Sequence, residues 1–99
     1  MTQIKIYIPS IFRNSKAVND FKTVILREFK GLTVYDALGY WVNLEKQTES
    51  ETVKVYEILT QNPNLEDINA IVKAECEKLK LLLNQNSVLY CLNGILYFV

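Results

Sequence analysis

Hydrophobic and polar residues alternate along the first ten positions of the chain and then recur at a different spacing. Isoleucine occupies every second position from Ile4 to Ile8, with Lys5 and Tyr7 between. This period of two is typical of a strand with one buried face, and Pro9 is expected to end it. From Val18 to Phe29 the apolar positions are three and four residues apart, which predicts an amphipathic helix.

The ends of this helix have their own signals. Asn14 or Ser15 is placed to accept a hydrogen bond from the first helical turn. Lys30 supplies a basic last turn, and Gly31 is expected to form the left-handed C-cap.

The segment Gly31–Leu44 carries the only tryptophan and is the element around which we expect the rest of the chain to pack. It is interpreted as a strand with a kink near residues 37–39, because a glycine inside a strand, here Gly39, is typical of a bulge or a close backbone approach. A polar hairpin loop is expected over residues 45–50, followed by a β-branched strand over residues 51–59.

The remainder predicts one helix and one hairpin. Asn64 is the expected N-cap of a long amphipathic helix that ends near Asn84. Two apolar runs, residues 87–92 and 95–99, are joined by Asn93-Gly94. That dipeptide is the strongest short-range signal of a tight type I′ turn.

The element order is therefore β-α-β-β-α-β-β, which predicts one α+β domain over residues 1–99. We expect a ferredoxin-like βαββαβ sandwich: an antiparallel sheet, two helices on one face and an extra C-terminal β-hairpin strand. The residues expected on the helix-covered face are Ile4, Ile6, Ile8, Val34, Val53 and Val55. Those expected on the opposite, open face are Lys5, Tyr7, Tyr35, Lys54, Tyr56 and Tyr90.

The amino-acid composition argues against several classes of function. Eleven basic and eleven acidic residues give a formal net charge of zero, which argues against a DNA-coating or anionic-membrane role. Without histidine, His-based triads, general bases and zinc sites are excluded, and the carboxylates lack metal-ligand spacing, so neither a metal nor a cofactor is predicted. Cys76 and Cys91 are expected to be buried free thiols in a reducing cytoplasm.

A cytoplasmic location is also expected from the absence of two signals. No run of residues is apolar and long enough to span a bilayer. The N-terminal residues 1–10 include Lys5 within the apolar alternation and no small-residue cleavage site, so they do not resemble a secretory signal.

The central strand is similar to that of a small bacterial domain family of unknown function. The shared pattern is GLTV-x-D-x-x-G-x-W, then an E-x-x-x-V strand and a QxSVL start to a later strand. The matching residues here are Gly31, Leu32, Thr33, Val34, Asp36, Gly39, Trp41, residues 51–55, Gln85, Ser87, Val88 and Leu89. The loop after Leu44 lacks the glycine usual in that family. The resemblance implies a ferredoxin-like fold and transfers no activity.

Aromatic and charged residues near the central strands supply the candidate ligand-binding or interface positions. They are Tyr7, Tyr35, Asp36, Tyr40, Trp41, Lys54 and Tyr56. The favoured interpretation is a non-catalytic homo-oligomer that associates through a tyrosine-rich sheet face. An alternative is stacking of RNA bases or a nucleotide on Tyr7 and Tyr56, with lysines meeting phosphates, although the glycine-aromatic pattern of RNA-recognition domains is missing.

Two further alternatives rest on similar folds. Arg13 and Asn43 resemble fragments of the acylphosphatase pattern, in which an arginine loop cradles a phosphate and an asparagine orients water. The segment 43–50 occupies the place of the signalling loop in PII-like small-molecule sensors. Asp36 and Glu51 are considered as a carboxylate pair that faces across the central hairpin.

Overall fold

The computed structural model describes all residues, 1–99, as one five-stranded antiparallel sheet with two helices. The strands are β1 (Thr2–Pro9), β2 (Thr33–Val42), β3 (Thr48–Thr60), β4 (Leu89–Leu92) and β5 (Ile95–Phe98). The helices are α1 (Lys16–Phe29) and α2 (Leu65–Leu82), and a short 3₁₀ turn, Ser10–Phe12, follows β1. The strand order is β2-β3-β1-β4-β5, which confirms the ferredoxin-like α+β fold with β5 as the added strand.

Local signals account for the ends of both helices. The Ser15 hydroxyl accepts a hydrogen bond from the backbone N–H of Val18 at 3.1 Å, so Ser15 rather than Asn14 is the N-cap of α1. Asn64 Oδ1 accepts from the Asp67 N–H at 3.2 Å and caps α2, as predicted. Both caps satisfy N–H groups that have no partner inside their helix.

The left-handed position after α1 differs from the prediction. Lys30, with φ of 66°, takes the C-cap role expected of Gly31, and its N–H donates to the Leu26 carbonyl. A single left-handed residue closes the last turn, and a non-glycine side chain occupies it at a modest conformational cost.

The C-terminal hairpin confirms its sequence signal. Asn93 and Gly94 both have positive φ, 48° and 84°, as a type I′ turn requires. The Asn93 side chain also accepts from the Gln3 N–H at 2.8 Å, which ties the turn to the start of β1. No helix of the structure has the length and apolarity needed to cross a membrane.

The core lies between the helices and the sheet face formed by β1, β3 and β4. Its largest fully buried side chains include Tyr56, Tyr90 and Phe21. Phe21 of α1 contacts Tyr56 edge-to-face, with ring centroids 5.4 Å apart, and this arrangement is favoured between aromatic rings. The tyrosine on β3 is therefore a core residue.

This packing corrects the predicted faces of β3. Register pairs Ile6 with Tyr56 and Ile8 with Lys54, and directly paired residues share a face, so Tyr56 and Lys54 lie on the helix side. Tyr90, which pairs with Ile6, lies there too. Val53 and Val55 consequently lie on the open face, opposite to the prediction, because a one-residue difference in parity reverses every side chain of a strand.

The predicted kink in β2 is absent. Pairing between β2 and β3 runs without interruption from Thr33–Glu57 to Val42–Thr48, and Gly39 simply faces Glu51. A Cβ atom added at Gly39 would be in ordinary van der Waals contact, 3.7 Å from the Glu51 carbonyl oxygen. The loop also begins earlier than predicted, since β3 starts at Thr48 and the turn occupies residues 43–47.

Candidate functional site

The open face of the sheet carries a cluster of polar groups around the Glu57 carboxylate. Glu57 on β3 lies beside Lys5 on β1, its directly paired neighbour, and diagonal to Tyr35 on β2. Three donors reach the same oxygen, Oε2: the Tyr35 hydroxyl at 3.4 Å, Gln3 Nε2 at 3.4 Å and Lys5 Nζ at 3.7 Å. We call Gln3, Lys5, Tyr35 and Glu57 the carboxylate cluster.

The cluster is polar but rests on an apolar floor. Val55 is only 1% exposed although it lies on the open face, where it pairs with Tyr7 on one side and Tyr35 on the other. The aromatic rings thus lie beside a buried valine, and each is on a strand next to β3 at a position diagonal to Glu57. Flat rings next to a charged group make a surface suited to a ligand with both an aromatic and a cationic part.

Electrostatic interactions within the carboxylate cluster favour the charged form of Lys5. The pKa of Lys5 is raised above its ordinary value, chiefly by its electrostatic interaction with Tyr35, with smaller contributions from Tyr7 and Glu57. Lys5 is therefore a cation throughout the physiological range. The cluster combines one fixed cation with one carboxylate that accepts from several donors.

The helix-side ion pair of Asp36 and Lys54 forms a second feature. Lys54 Nζ lies 2.6 Å from Asp36 Oδ1, and the two residues are directly paired across β2 and β3. The predicted Asp36–Glu51 carboxylate pair does not form, because Glu51 pairs with Gly39 and lies on the opposite face. Asp36 has a cationic partner and is not half of an acid/base dyad.

The sequence-predicted site residues thus divide between two faces. Tyr7, Tyr35 and Trp41 lie on the open face. Asp36, Tyr40, Lys54 and Tyr56 lie on the helix-side face. Tyr56 is 2% exposed, so the stacking platform of Tyr7 with Tyr56 that the RNA alternative required does not exist.

The acylphosphatase arrangement is also not formed. Arg13 donates to the Ser10 carbonyl at 3.1 Å beside the end of β1. Asn43 lies at the tip of the β2–β3 hairpin, six positions beyond Ala37, which is level with Pro9 through Val53. At a strand rise of about 3.4 Å per residue, that separates Asn43 from the end of β1 by roughly 20 Å.

Asn43 has a structural role instead. Its Oδ1 accepts from the backbone N–H groups of Glu45 and Gln47, both at 2.9 Å, and its Nδ2 donates to Glu49 at 3.1 Å. An asparagine that satisfies local backbone groups in this way organises a turn. The segment compared with the PII-like loop is accordingly a short ordered turn, residues 43–47, followed by a strand.

Sequence reasoning missed Glu57 and Gln3. A signal was available: once Tyr56 and Ile58 are assigned to the core, Glu57 must face away from the helices, opposite Lys5. None of the four surface depressions includes Lys5, Tyr35 or Glu57, so the cluster lies on an open surface of the single chain.

The cysteines also differ from expectation, since Cys76 is buried but Cys91 is partly exposed on the open face.

Comparison with solved structures identifies two close folds. A phage SAM lyase in its apo state matches with a TM-score of 0.73 at 17% sequence identity, over 99% of this chain and 87% of that one. A phage SAM lyase in complex with S-methyl-5′-thioadenosine matches with a TM-score of 0.68 at 17% identity, over 99% of this chain and 88% of that one. No protein-family model matches the sequence, and no curated protein matches it.

These matches correct the prediction of a non-catalytic domain. Both structures are of an enzyme, and each covers nearly the whole chain, so the lack of a recognisable catalytic motif does not place this chain outside enzymes. The prediction failed because it searched for histidine-based and phosphate-binding patterns. A site assembled from single residues on three strands has no local sequence motif.

Proposed function

We propose that this protein is a lyase that cleaves a sulfonium nucleoside of the S-adenosylmethionine class at the carboxylate cluster. The observation that carries the proposal is the convergence of Tyr35, Gln3 and Lys5 on Glu57 Oε2. Tyr7 and Tyr35 lie on the same face of the sheet, at positions diagonal to Glu57. The likeness in fold to the phage SAM lyase, over 99% of the chain, supports the choice of substrate class.

The chemistry of such a substrate fits these groups. A sulfonium nucleoside of this class has an aromatic base, a positive sulfur, an ammonium group and a carboxylate. Glu57 would attract the cationic sulfur, Lys5 would pair with the substrate carboxylate, and the rings of Tyr7 and Tyr35 would stack on the base. Each proposed contact uses a group that faces the same side of the sheet.

The reaction requires little or no proton transfer by the protein. In a lyase step the carbon–sulfur bond breaks with its electron pair going to sulfur, and the positive sulfonium becomes a neutral thioether. The compensating electron pair comes from the substrate's own carboxylate: its oxygen forms a carbon–oxygen bond to the carbon that leaves sulfur, and the fragment is released as a lactone. The protein then acts by orientation and by balancing charge, which suits a chain without histidine.

The test is to incubate the protein with S-adenosylmethionine and to measure the release of S-methyl-5′-thioadenosine by chromatography. We expect turnover by the wild type and a loss of roughly tenfold to a hundredfold in kcat/KM for Glu57→Gln, which keeps the shape but removes the charge. Glu28→Gln is the matched control, since Glu28 is an exposed glutamate on α1. Equal loss in both variants, or no thioadenosine product from the wild type, contradicts the proposal.

We also propose that the protein self-associates, as the tyrosine-rich open face suggests. The support is a pair of exposed apolar residues on β5 at the edge of this face, Leu96 and Phe98, since exposed apolar side chains that lie together are typical of an interaction site. Phe98→Asp should lower the solution mass measured by light scattering, whereas Ile11→Asp, at an exposed apolar residue outside the sheet, should not.

A further inference from the structure

The hairpin of β2 and β3 extends beyond the rest of the sheet as a two-stranded ribbon. Pairing of β1 with β3 ends at Pro9–Val53, whereas β2 and β3 remain paired as far as Val42–Thr48. We call residues 38–52 the arm. A two-stranded hairpin with no third strand or helix against it is marginally stable in water, so a ribbon of this length is expected to gain a partner.

One strand of the arm is markedly apolar. Leu38 is 56% exposed, Tyr40 68% and Val42 65%, all on the helix-side face, and Trp41 is 42% exposed on the open face. The paired strand, residues 48–52, consists of threonine, serine and glutamate. The apolar strand is the outer one, β2, so the exposed apolar side chains lie along the free edge of the sheet.

The backbone of this edge is also unpaired. The Asn43 N–H donates to the Gln47 carbonyl, so the odd-numbered residues of β2 bond to β3. Residues alternate in an antiparallel ladder, and the even-numbered residues from Val34 to Val42 therefore direct their N–H and C=O groups outward. The edge lacks the lysine, proline or bulge with which proteins commonly protect such strands.

We propose that β2 pairs antiparallel with β2 of a second copy of this chain, about a two-fold axis at Leu38. This register sets Leu38 opposite its own copy, Val34 opposite Val42, and Asp36 opposite Tyr40. It leaves no residue from Val34 to Val42 without a partner. Moving the axis to Asp36 would instead place two carboxylates face to face, which is unfavourable.

The strand that pairs with β2 comes from a second copy of the chain, because the edge of β2 is complementary to itself under a two-fold rotation about Leu38. Apolar side chains meet apolar ones at Leu38 and at the valine pair. The Tyr40 phenol lies beside Asp36 of the partner subunit, where that carboxylate already pairs with a lysine. An interface of this kind uses the same patch twice, as two-fold dimers do.

The pairing also brings a residue of the second copy to the carboxylate cluster. On the open face the register sets Tyr35 opposite Trp41 of the partner subunit, at a non-hydrogen-bonded position where side chains approach most closely. Tyr35 donates to Glu57, so the partner's Trp41 adds an aromatic wall beside the cluster. This assignment of Trp41 to a substrate site rests on the proposed function, whereas the strand pairing does not.

Crosslinking tests the register directly. Opposed residues in a hydrogen-bonded pair have Cα atoms about 5.5 Å apart, which is within the range of a disulfide. In a Cys91→Ser background, Leu38→Cys should form a covalent dimer under mild oxidation. Val42→Cys is the matched control, because the two copies of that position would be roughly 27 Å apart. No dimer from Leu38→Cys, or equal crosslinking of both variants, overturns the proposal.

Proline at the same edge tests the backbone pairing. Leu38→Pro removes an outward N–H that makes no bond within the chain and should lower the solution mass twofold. Ile11→Asp changes an exposed apolar residue outside the sheet, and this control should leave the mass unchanged. A monomeric wild type, or the same mass for wild type and Leu38→Pro with native circular dichroism, overturns the proposal.

Different results would contradict the strand pairing and the proposed lyase reaction. If the dimer completes the site, Leu38→Pro loses activity together with mass, while Glu57→Gln loses activity at unchanged mass. Crosslinking of Leu38→Cys without turnover of S-adenosylmethionine would support the strand pairing and contradict the proposed reaction. Turnover by a wild-type monomer would do the reverse.

Discussion

At the scale of single residues, burial decides the chemistry of the two thiols. Cys76 lies on α2 with no exposed surface, and burial, with smaller contributions from Glu75 and Glu77, raises the pKa of its thiol to about 12. Cys91 lies on β4 and is partly exposed. Since the thiolate is the reactive species, the two cysteines should differ strongly in reactivity.

Alkylation with iodoacetamide at about pH 8 should therefore modify Cys91 much faster than Cys76. Mass spectrometry of the native protein is expected to show one modification, and a second only after denaturation. In Cys91→Ser the native protein should remain unmodified over the same period. Rapid modification of the native Cys91→Ser protein would show that α2 opens more readily than its packing indicates.

At the scale of elements, the caps show how a single side chain sets a helix boundary. The Ser15 hydroxyl bonds the Val18 N–H, whereas Asn14 makes no side-chain hydrogen bond. Ser15→Ala should lower the free energy of unfolding by about 1 kcal/mol, since an orphan N–H loses its partner. Asn14→Ala should change it by less than about 0.5 kcal/mol. Urea titration of the two variants measures the difference, and equal losses would contradict the assignment.

At the scale of the whole molecule, several protonated groups are buried together beneath the helices. The Tyr90 hydroxyl donates to Asn69 Oδ1 at 2.6 Å, and Tyr90 stacks on Tyr97 with ring centroids 5.0 Å apart. Burial, the largest cause, raises the pKa of Tyr90 to about 12, and burial also raises the pKa of Tyr56. Folding thus keeps these phenols and the Cys76 thiol protonated.

The folded and unfolded chains bind different numbers of protons at alkaline pH. The unfolded chain begins to lose these protons near the ordinary values, 9.0 for Cys76 and 10.0 for Tyr90, while the folded chain holds them to about pH 12. The unfolded state binds fewer protons in this interval, so the free energy of unfolding should fall as pH rises from about 9 to 12. Below that range these groups contribute no pH dependence.

Tyr90→Phe should reduce this alkaline slope above about pH 10, because one of the titrating groups is gone. It should also cost about 1 kcal/mol near neutral pH, since Asn69 loses its hydrogen-bond donor. Urea unfolding at several pH values measures both effects. Tyr7→Phe, on the open face, serves as the control; a slope that is unchanged in Tyr90→Phe would contradict the burial argument.

Local signals in the sequence are enough to predict most of the helices, strands and turns of this protein. The alternation of isoleucines in β1, the helical spacing in α1 and α2, the Asn64 cap and the Asn93-Gly94 turn are all local signals, and the structure confirms each of them. Their order was enough to predict the ferredoxin-like arrangement, because few topologies accommodate it. Local hydrogen bonding and periodicity carry this information, so it can be read without knowing any long-range contact.

The face on which each side chain of β3 lies depends instead on long-range packing. Valine and tyrosine both suit a strand, so composition could not show that Tyr56 packs on Phe21 while Val55 faces away. The register of β3 against β1 determines the faces, and that register depends on packing between segments that are 44 to 58 residues apart in the chain. The carboxylate cluster has the same origin: Gln3, Lys5, Tyr35 and Glu57 come from three strands and meet only when the sheet forms.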